Sequence, residues 1–417
     1  MATSIKPTFT DRFTSSTGIY YGWVIVFVST LLMGIGYGIM YSYSVFFKPI
    51  LDTFDWDRAT VSSIYSISLV LRGAVSILTG WLSDRYGPIK MTSFCGIMLA
   101  LGLVLSAHVD QLWQFYITYG FILSIGLSGS FTIGSAVTSR WFIRKRAIAL
   151  AITSTGSGLG TLFIVPISER LIQTYNWQFV FIGLGLCAGF IIISTSFLLR
   201  LPPSPAGTND ISGNSIILNS APEKSFKEAA FSREMFMLNM IFSLIMFCMH
   251  MVMIHLVNIA TDIGISSFEA AGFISTIGVV SIAGRLVMGS ASARIGTHNS
   301  LLICNILRII SLFWLFFCHT TMDFYIFAVI FGFAYGGEIP QVPLFIGGLF
   351  GIKSMAALMG LLIFVSNILG ALGPYTGGKI YDLTSHYHYA IMLAFVFSIL
   401  AFILALRFKK TTLIAAV

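Results

Sequence analysis

Apolar residues along this chain do not alternate with polar ones; they gather into long runs separated by short polar breaks. The runs fall at 20–47, 59–80, 89–107, 112–137, 147–168 and 177–199 and, after a polar stretch, at 234–257, 269–292, 299–318, 324–346, 354–376 and 387–406. A helix rises 1.5 Å per residue, so about 20 apolar residues cross the roughly 30 Å hydrocarbon core of a bilayer. The pattern predicts an all-α membrane protein with twelve transmembrane helices in two six-helix bundles. Residues 1–200 would form the first bundle and 233–417 the second. The linker, 201–232, holds PPSP, GTND, SGNS and APEK, clusters that suit a flexible segment, and no firm structure is expected there.

Composition narrows the class. With 56% hydrophobic residues, 10% charged ones and a mean hydropathy of +0.89, the chain is excluded from the water-soluble globules, whose charged fraction is about 25%. A net charge of +8 raises the question of nucleic acid, but the basic residues are scattered over many short loops and form no single patch. Their distribution is that of membrane topology. If the N-terminus is cytoplasmic, seventeen of the 24 lysines and arginines face the cytoplasm and four, Lys48, Arg58, Arg170 and Lys379, face outward. The positive-inside rule therefore predicts a multi-pass protein with both termini and the linker cytoplasmic, and with no transit peptide apparent the expected location is the cell membrane. Nine of the sixteen acids, Asp52, Asp55 and Asp57 among them, fall on the outer side. Residues 1–18 are polar and hold no hydrophobic region ahead of a cleavage site, so no cleavable signal is expected. The five cysteines share no CxxC or CxxH spacing, which argues against a metal site or a disulfide framework, and no cofactor is expected.

Charges inside the apolar runs are the candidates for chemistry. Arg285 stands alone between Glu269 and Arg294 in the eighth run, where an arginine costs roughly 2.5 to 3.5 kcal/mol unless it faces protein or a watery cavity and meets an anion. It is read as the anion-binding group of a transporter; its other reading is a structural arginine paired with an internal carboxylate. Arg72, Arg308 and Glu338 are the remaining charges in span interiors. Arg308 lies twelve residues before Thr320 and Glu338 fifteen after Asp323, so on adjacent antiparallel helices they reach similar depths and are expected to form a structural ion pair. Alternatively Glu338 carries a coupling proton, since burial makes a carboxyl easier to protonate. His250 in the seventh run is a candidate both for bonding a substrate and for exchanging a proton. Glycines and prolines at 156–160, Pro166, Pro340, Pro343 and Pro374 suit close helix contact and are expected to interrupt spans five, ten and eleven.

Gly80–Gly87, GWLSDRYG, and Gly289–Gly296, GSASARIG, repeat glycine, arginine and glycine at an offset of 209, each after the second span of a six-span half. Two such halves suit a carrier that holds its substrate between them near the bilayer midplane. GWLSDRYGPIK, residues 80–90, resembles the signature loop of the major facilitator superfamily, with Asp84, Arg85 and Gly87 on the motif positions. The resemblance implies gating by charged contacts with neighbouring helix ends. Arg294 occupies the second copy, where Ala293 replaces the acid.

Within that superfamily, WFIRKRAIALAITSTGSG, residues 141–158, and Gly22 and Trp23 of GIYYGWV are similar to the monocarboxylate transporters; Ala151, Thr153, Tyr20 and Tyr21 depart from their pattern. In that family the eighth span carries an arginine that binds the substrate carboxylate, and AGRLVMG puts Arg285 on that position. A guanidinium offers a carboxylate a planar fork of donors and stays charged at all physiological pH. The family's acid one turn earlier is Ser281 here, and the lysine of its first span is replaced by Tyr41, which puts proton coupling by that route in question. The superfamily resemblance also implies that Tyr41, Tyr119 and Tyr335 lie on helices lining the central cavity, where their hydroxyls would orient a small solute.

The expected function is secondary transport of a small monocarboxylate such as lactate or pyruvate together with a proton, by alternating access. Alternatives are exchange of organic anions, monocarboxylate for dicarboxylate, favoured by the missing acid and by Arg72, or a membrane receptor that does not transport. No HExxH, GxSxG or GxxxxGK[ST] supports an enzyme or an ATP-driven pump. The expected partners are the anion, the proton and the lipid bilayer, with no nucleic acid; no stretch identifies an accessory protein.

Overall fold

The structure, a computed structural model, describes residues 20–142, 146–202, 225–351 and 355–408. Arg144 and Lys145 of the basic cluster, most of the linker, Lys353 and both chain ends lie outside the described residues, as does the side chain of Asp84. Among the described residues twelve helices are long and apolar enough to cross a membrane. They are α1 Tyr21–Phe54, α2 Arg58–Tyr86, α3 Pro88–Ser106, α4 Leu112–Trp141, α5 Arg146–Thr174 and α6 Trp177–Ser196. The second set is α7 Arg233–Thr261, α8 Ser267–Ile295, α9 Thr297–Leu315, α10 Thr321–Phe350, α11 Met355–Thr384 and α12 His388–Arg407.

Several helices outrun their apolar stretch because polar residues cap them. Asp57 accepts the amide of Thr60 at the start of α2, and Ser232 and Ser266 do the same for α7 and α8. At α10, Thr320 and Asp323 satisfy each other's backbone amides in a capping box. Within the described part of the linker a single turn, Phe226–Ala230, starts from a capping box of Ser225 and Glu228.

The sequence repeat has a backbone counterpart. Gly87 ends α2 with φ 92° and ψ 151°, and Gly296 ends α8 with φ 85° and ψ 150°, a region that residues with a Cβ avoid. Packing follows the same symmetry only in part: the first helix of each half packs on the fifth and the third on the fourth. In the first half α1 packs on α4 and α5, and α3 on α4 and α6; in the second, α7 packs on α11 and α12, and α8 and α9 on α10. The halves meet where α2 packs on α11 and α5 on α8, the second helix of each against the fifth of the other, and where α1 meets α7.

Small residues set these approaches. A Cβ on Gly160 would run into the carbonyl of Gly34 and one on Gly156 into that of Thr30, so α5 lies directly on α1. Gly158, on another side of α5, meets Gly278 of α8 across the halves in the same way. The prolines behave differently from the expectation: α5 and α11 run unbroken through Pro166 and Pro374, and only α10 breaks, between Glu338 and Gln341 at Pro340. A proline costs a helix one hydrogen bond and some bending, and packed neighbours tolerate that without ending the helix.

The faces of the bundle are distinguished by charge. The ends of α2, α4 and α8, which carry Arg85, Arg140 and Arg294, and the start of α7 with Arg233 lie on the basic face; the loops after α1, α7 and α11 belong to the far face.

Candidate functional site

Helices α1, α5, α7, α8 and α10 converge on a small cavity between the halves. It is lined by Tyr41, Ser157, Thr161, Met253, Ile277, Gly278, Ser281, Arg285 and Tyr335. Its volume is about 10 Å³, room for one water, so the helices must part before an organic solute can enter.

Arg285 is brought here by the glycines around it. Gly278 lets α8 press on α5, and a Cβ on Gly284 would strike the backbone of Phe333, so α8 also lies directly on α10. The side chain is 7% exposed. Its Nη1 donates to the carbonyl oxygen of Ser154 on α5, across the halves. Its Nε has no hydrogen-bond partner, and the guanidinium carbon lies 6.0 Å from the centre of the Tyr335 ring. No carboxylate among the described residues pairs with it. Tyr335 and Tyr41 join the halves through their hydroxyls, 3.2 Å apart. Ser281, on the vacant acid position, donates within its own helix to the carbonyl of Gly278 at 2.7 Å. Three of the residues singled out from the sequence, Arg285, Tyr41 and Tyr335, therefore share one cavity.

The others lie elsewhere. His250 is 2% exposed and bonds the hydroxyl of Tyr65 through Nδ1 at 3.1 Å, an α2–α7 contact between the halves that does not line the cavity. Tyr119, expected at the cavity, packs instead in the first half against Tyr43 and Phe181, with ring centres 5.0 and 6.1 Å away. α4 passes behind α1 at that level, and the ring fills the space between helices. Arg308 pairs with Glu338 through Nη1, donates from Nη2 to Asn305 at 2.6 Å and from Nε to Ser398 at 3.1 Å. Arg72 donates to the sulfur of Met40 and has no carboxylate partner among the described residues.

At the basic face the loop expected to gate differs from its expected geometry. Arg85 is exposed and lies over the rings of Trp81 and Tyr86, at 5.5 and 5.6 Å, on its own helix instead of on a neighbouring helix end. A flat, delocalised cation is well matched to an aromatic face. Arg294 is exposed and forms no ion pair among the described residues.

The far face carries a latch that the sequence did not reveal. Arg58, at the start of α2, forms a two-pronged pair with Asp262 at the end of α7, at 2.9 Å for each contact, and its guanidinium lies 3.5 Å from the centre of the Tyr381 ring. Asp382 of α11 accepts the backbone amides of Arg58 and Ala59 at 2.9 and 2.7 Å. Behind the latch runs a relay. Arg58 donates to the Tyr387 hydroxyl at 2.8 Å, and that hydroxyl lies 3.0 Å from His255 Nδ1. His255 Nε2 lies 2.8 Å from the carbonyl of Pro374, which can only accept, so Nε2 carries the proton and Nδ1 accepts from Tyr387. Burial pushes the Tyr387 phenol above its ordinary value, so the hydroxyl stays a neutral donor. In the sequence Arg58, Asp262 and Asp382 look like ordinary loop charges, and only the docking of the halves pairs them.

Among known proteins, the rat "Monocarboxylate transporter 13" is 23% identical over 90% of this chain and 86% of its own length. The "Oxalate:formate antiporter" of Oxalobacter formigenes is 28% identical over 45% of each chain. A solved bacterial homologue of the human lysosomal transporter Spinster, inward-facing and unoccupied, superposes with a TM-score of 0.74 at 16% identity, covering 94% of this chain and 98% of its own; that likeness shows the fold. The Major Facilitator Superfamily family pattern matches residues 23–285 and 236–413, the whole twelve-helix body, and the chain belongs to that superfamily of membrane transporters.

Proposed function

We propose that the protein is a carrier of small monocarboxylates, lactate or pyruvate in size, that moves its substrate together with a proton by alternating access. One observation carries this: Arg285 is buried at the interface of the halves, lines the cavity there, and keeps a guanidinium nitrogen without a partner. An arginine in that position is an uncompensated cation that a carboxylate would neutralise through paired hydrogen bonds. Tyr41 and Tyr335 supply hydroxyls at the same cavity, and an entering anion would compete with their mutual bond. The resemblance to monocarboxylate transporters over most of the chain points to the same substrate class.

Two residues are candidates for the proton. Glu338 is held by Arg308, whereas the His250–Tyr65 bond crosses the halves, so a proton arriving at His250 would remake an inter-half contact. His250 is therefore the favoured carrier. The basic face is assigned to the cytoplasm of a cell-membrane protein, with the halves 1–200 and 233–417 rocking about the site. Asp84, Arg85 and Arg294 gate the cytoplasmic side, and the Arg58 latch closes the outer one.

The test is uptake of labelled lactate into proteoliposomes, with and without an inward acid gradient. Uptake that the gradient stimulates and Arg285→Ala abolishes is expected; normal uptake by Arg285→Ala overturns the assignment. A second reading, exchange of organic anions, is favoured by Arg72, a further cation without a carboxylate partner among the described residues, and by the likeness to the oxalate:formate antiporter. Uptake that ignores the gradient and requires internal anion would select it.

A further inference from the structure

A second and larger cavity, about 230 Å³ against about 10 Å³ at Arg285, opens toward the far face. Ser44 and Lys48 of α1, Glu169 of α5, and Asn258 and Thr261 of α7 are among the residues that line it. The two cavities are stacked on the same helices. On α1, Ser44 lies three residues beyond Tyr41, and on α7, Val257 lies four beyond Met253, so about one helical turn, 5.4 Å, separates them.

Apart from one bond between Gln173 and Glu169, the polar side chains of this vestibule leave groups unmatched. Asn258 is 2% exposed and its amide nitrogen has no hydrogen-bond partner. Glu169 is 4% exposed, and Gln173 donates to one of its carboxylate oxygens at 2.9 Å. Lys48 forms no ion pair among the described residues. A buried polar group without a partner is costly and calls for a ligand or ordered water. A plain anion would satisfy Lys48 and Asn258 but would meet the carboxylates of Glu169 and Asp52. A plain cation would leave the lysine and the amide unmatched. A molecule with a carboxylate at one end and a hydrogen-bond donor near it satisfies both sets.

We infer that the vestibule is a reception site for small carboxylates bearing a hydroxyl or amino group, which wait there before passing inward to Arg285. Lys48 and Asn258 hold the carboxylate, and Glu169 accepts from the donor. The onward step rests on the proposed function; the binding itself does not.

The test is calorimetric titration of the purified full-length protein carrying Arg285→Ala, which removes the inner anion ligand, with lactate, alanine and propionate. Saturable binding of lactate and alanine is expected, with propionate at least tenfold weaker. Adding Glu169→Gln should erase the preference, and adding Lys48→Gln should weaken all three acids. Asn258→Leu is a second variant: it should lower affinity about tenfold while raising thermal stability, because it removes an unmatched buried amide. Lactate binding by the wild type that vanishes in Arg285→Ala would mean that only the inner site exists and would overturn the inference, as would equal affinity for propionate or no binding at all. Preferential binding in Arg285→Ala with no lactate uptake by the wild type would uphold the vestibule and sink the carrier assignment instead.

Discussion

Arg285 and Arg308 are both arginines in apolar helices of the second half, 7% and 2% exposed, yet their surroundings are opposite. Arg308 is saturated: Glu338, Asn305 and Ser398 take bonds from its three nitrogens, so its charge is neutralised within one half. Arg285 has one backbone carbonyl from the other half, an unused Nε and a cavity beside it. A buried charge must be compensated somewhere. Where the protein itself compensates it, the charge is architecture that ties α9, α10 and α12 together. Where compensation is left open at the surface between the halves, the charge can take up an anion, and under the proposed function filling it would couple binding to the position of the halves.

The comparison predicts that the two sites fail in different ways. Glu338→Ala strands Arg308 without its counterion and should lower stability by roughly 3–5 kcal/mol. Thermal unfolding in detergent would show it, and replacing Arg308 as well with methionine should recover most of the loss. Arg285→Ala removes the charge itself and one bond, so stability should stay within about 1 kcal/mol of the wild type while uptake disappears. Equal destabilisation by Glu338→Ala and Arg285→Ala would erase the distinction and make both arginines structural.

A finer test keeps the charge. Arg285→Lys retains a cation but loses the planar fork, and it should transport with about tenfold lower apparent affinity, between wild type and alanine. Next comes Tyr335→Phe, which deletes one hydroxyl. Losing a single hydrogen bond of about 0.5–1.5 kcal/mol should raise the KM for uptake roughly two- to twelvefold with stability nearly unchanged. A larger effect from Tyr335→Phe than from Arg285→Lys would shift the centre of recognition to the Tyr41–Tyr335 pair.

The difference between the arginines was only half legible in the sequence. Twelve spans could be read because a bilayer demands long apolar runs, and arginines stand out against them. The level of Arg308 and Glu338 follows from counting along antiparallel helices. Which arginine is left unpaired does not follow, because that depends on side chains several helices apart. The same holds for His250, whose partner Tyr65 belongs to the other half, and for Tyr119, whose helix carries it behind Tyr43. Glu169 and Asn258 do not stand out in the sequence for a related reason. Each sits near a span end, where polar residues are common, and only the folded bundle shows that both are buried beside one vestibule.

The smallest expected effect concerns the latch. The side chains of Arg58 and Asp262 are 14% and 25% exposed, so water weakens their attraction, and partly exposed pairs contribute no more than about 1 kcal/mol. Asp262→Asn should therefore shift the balance of the halves about fivefold toward opening at the far face, without unfolding the protein. Thiol labelling of a Thr261→Cys variant from that side would report it, since Thr261 lines the vestibule beside the latch. Faster labelling is expected when Asp262→Asn is added, and slower labelling when lactate holds the halves together at Arg285. If Asp262→Asn leaves the labelling rate unchanged, the closure resides in the unaltered contacts of Asp382 with the backbone of α2. Arg58 would then owe its place to Tyr381 and Tyr387, and the charge pair would be incidental to access.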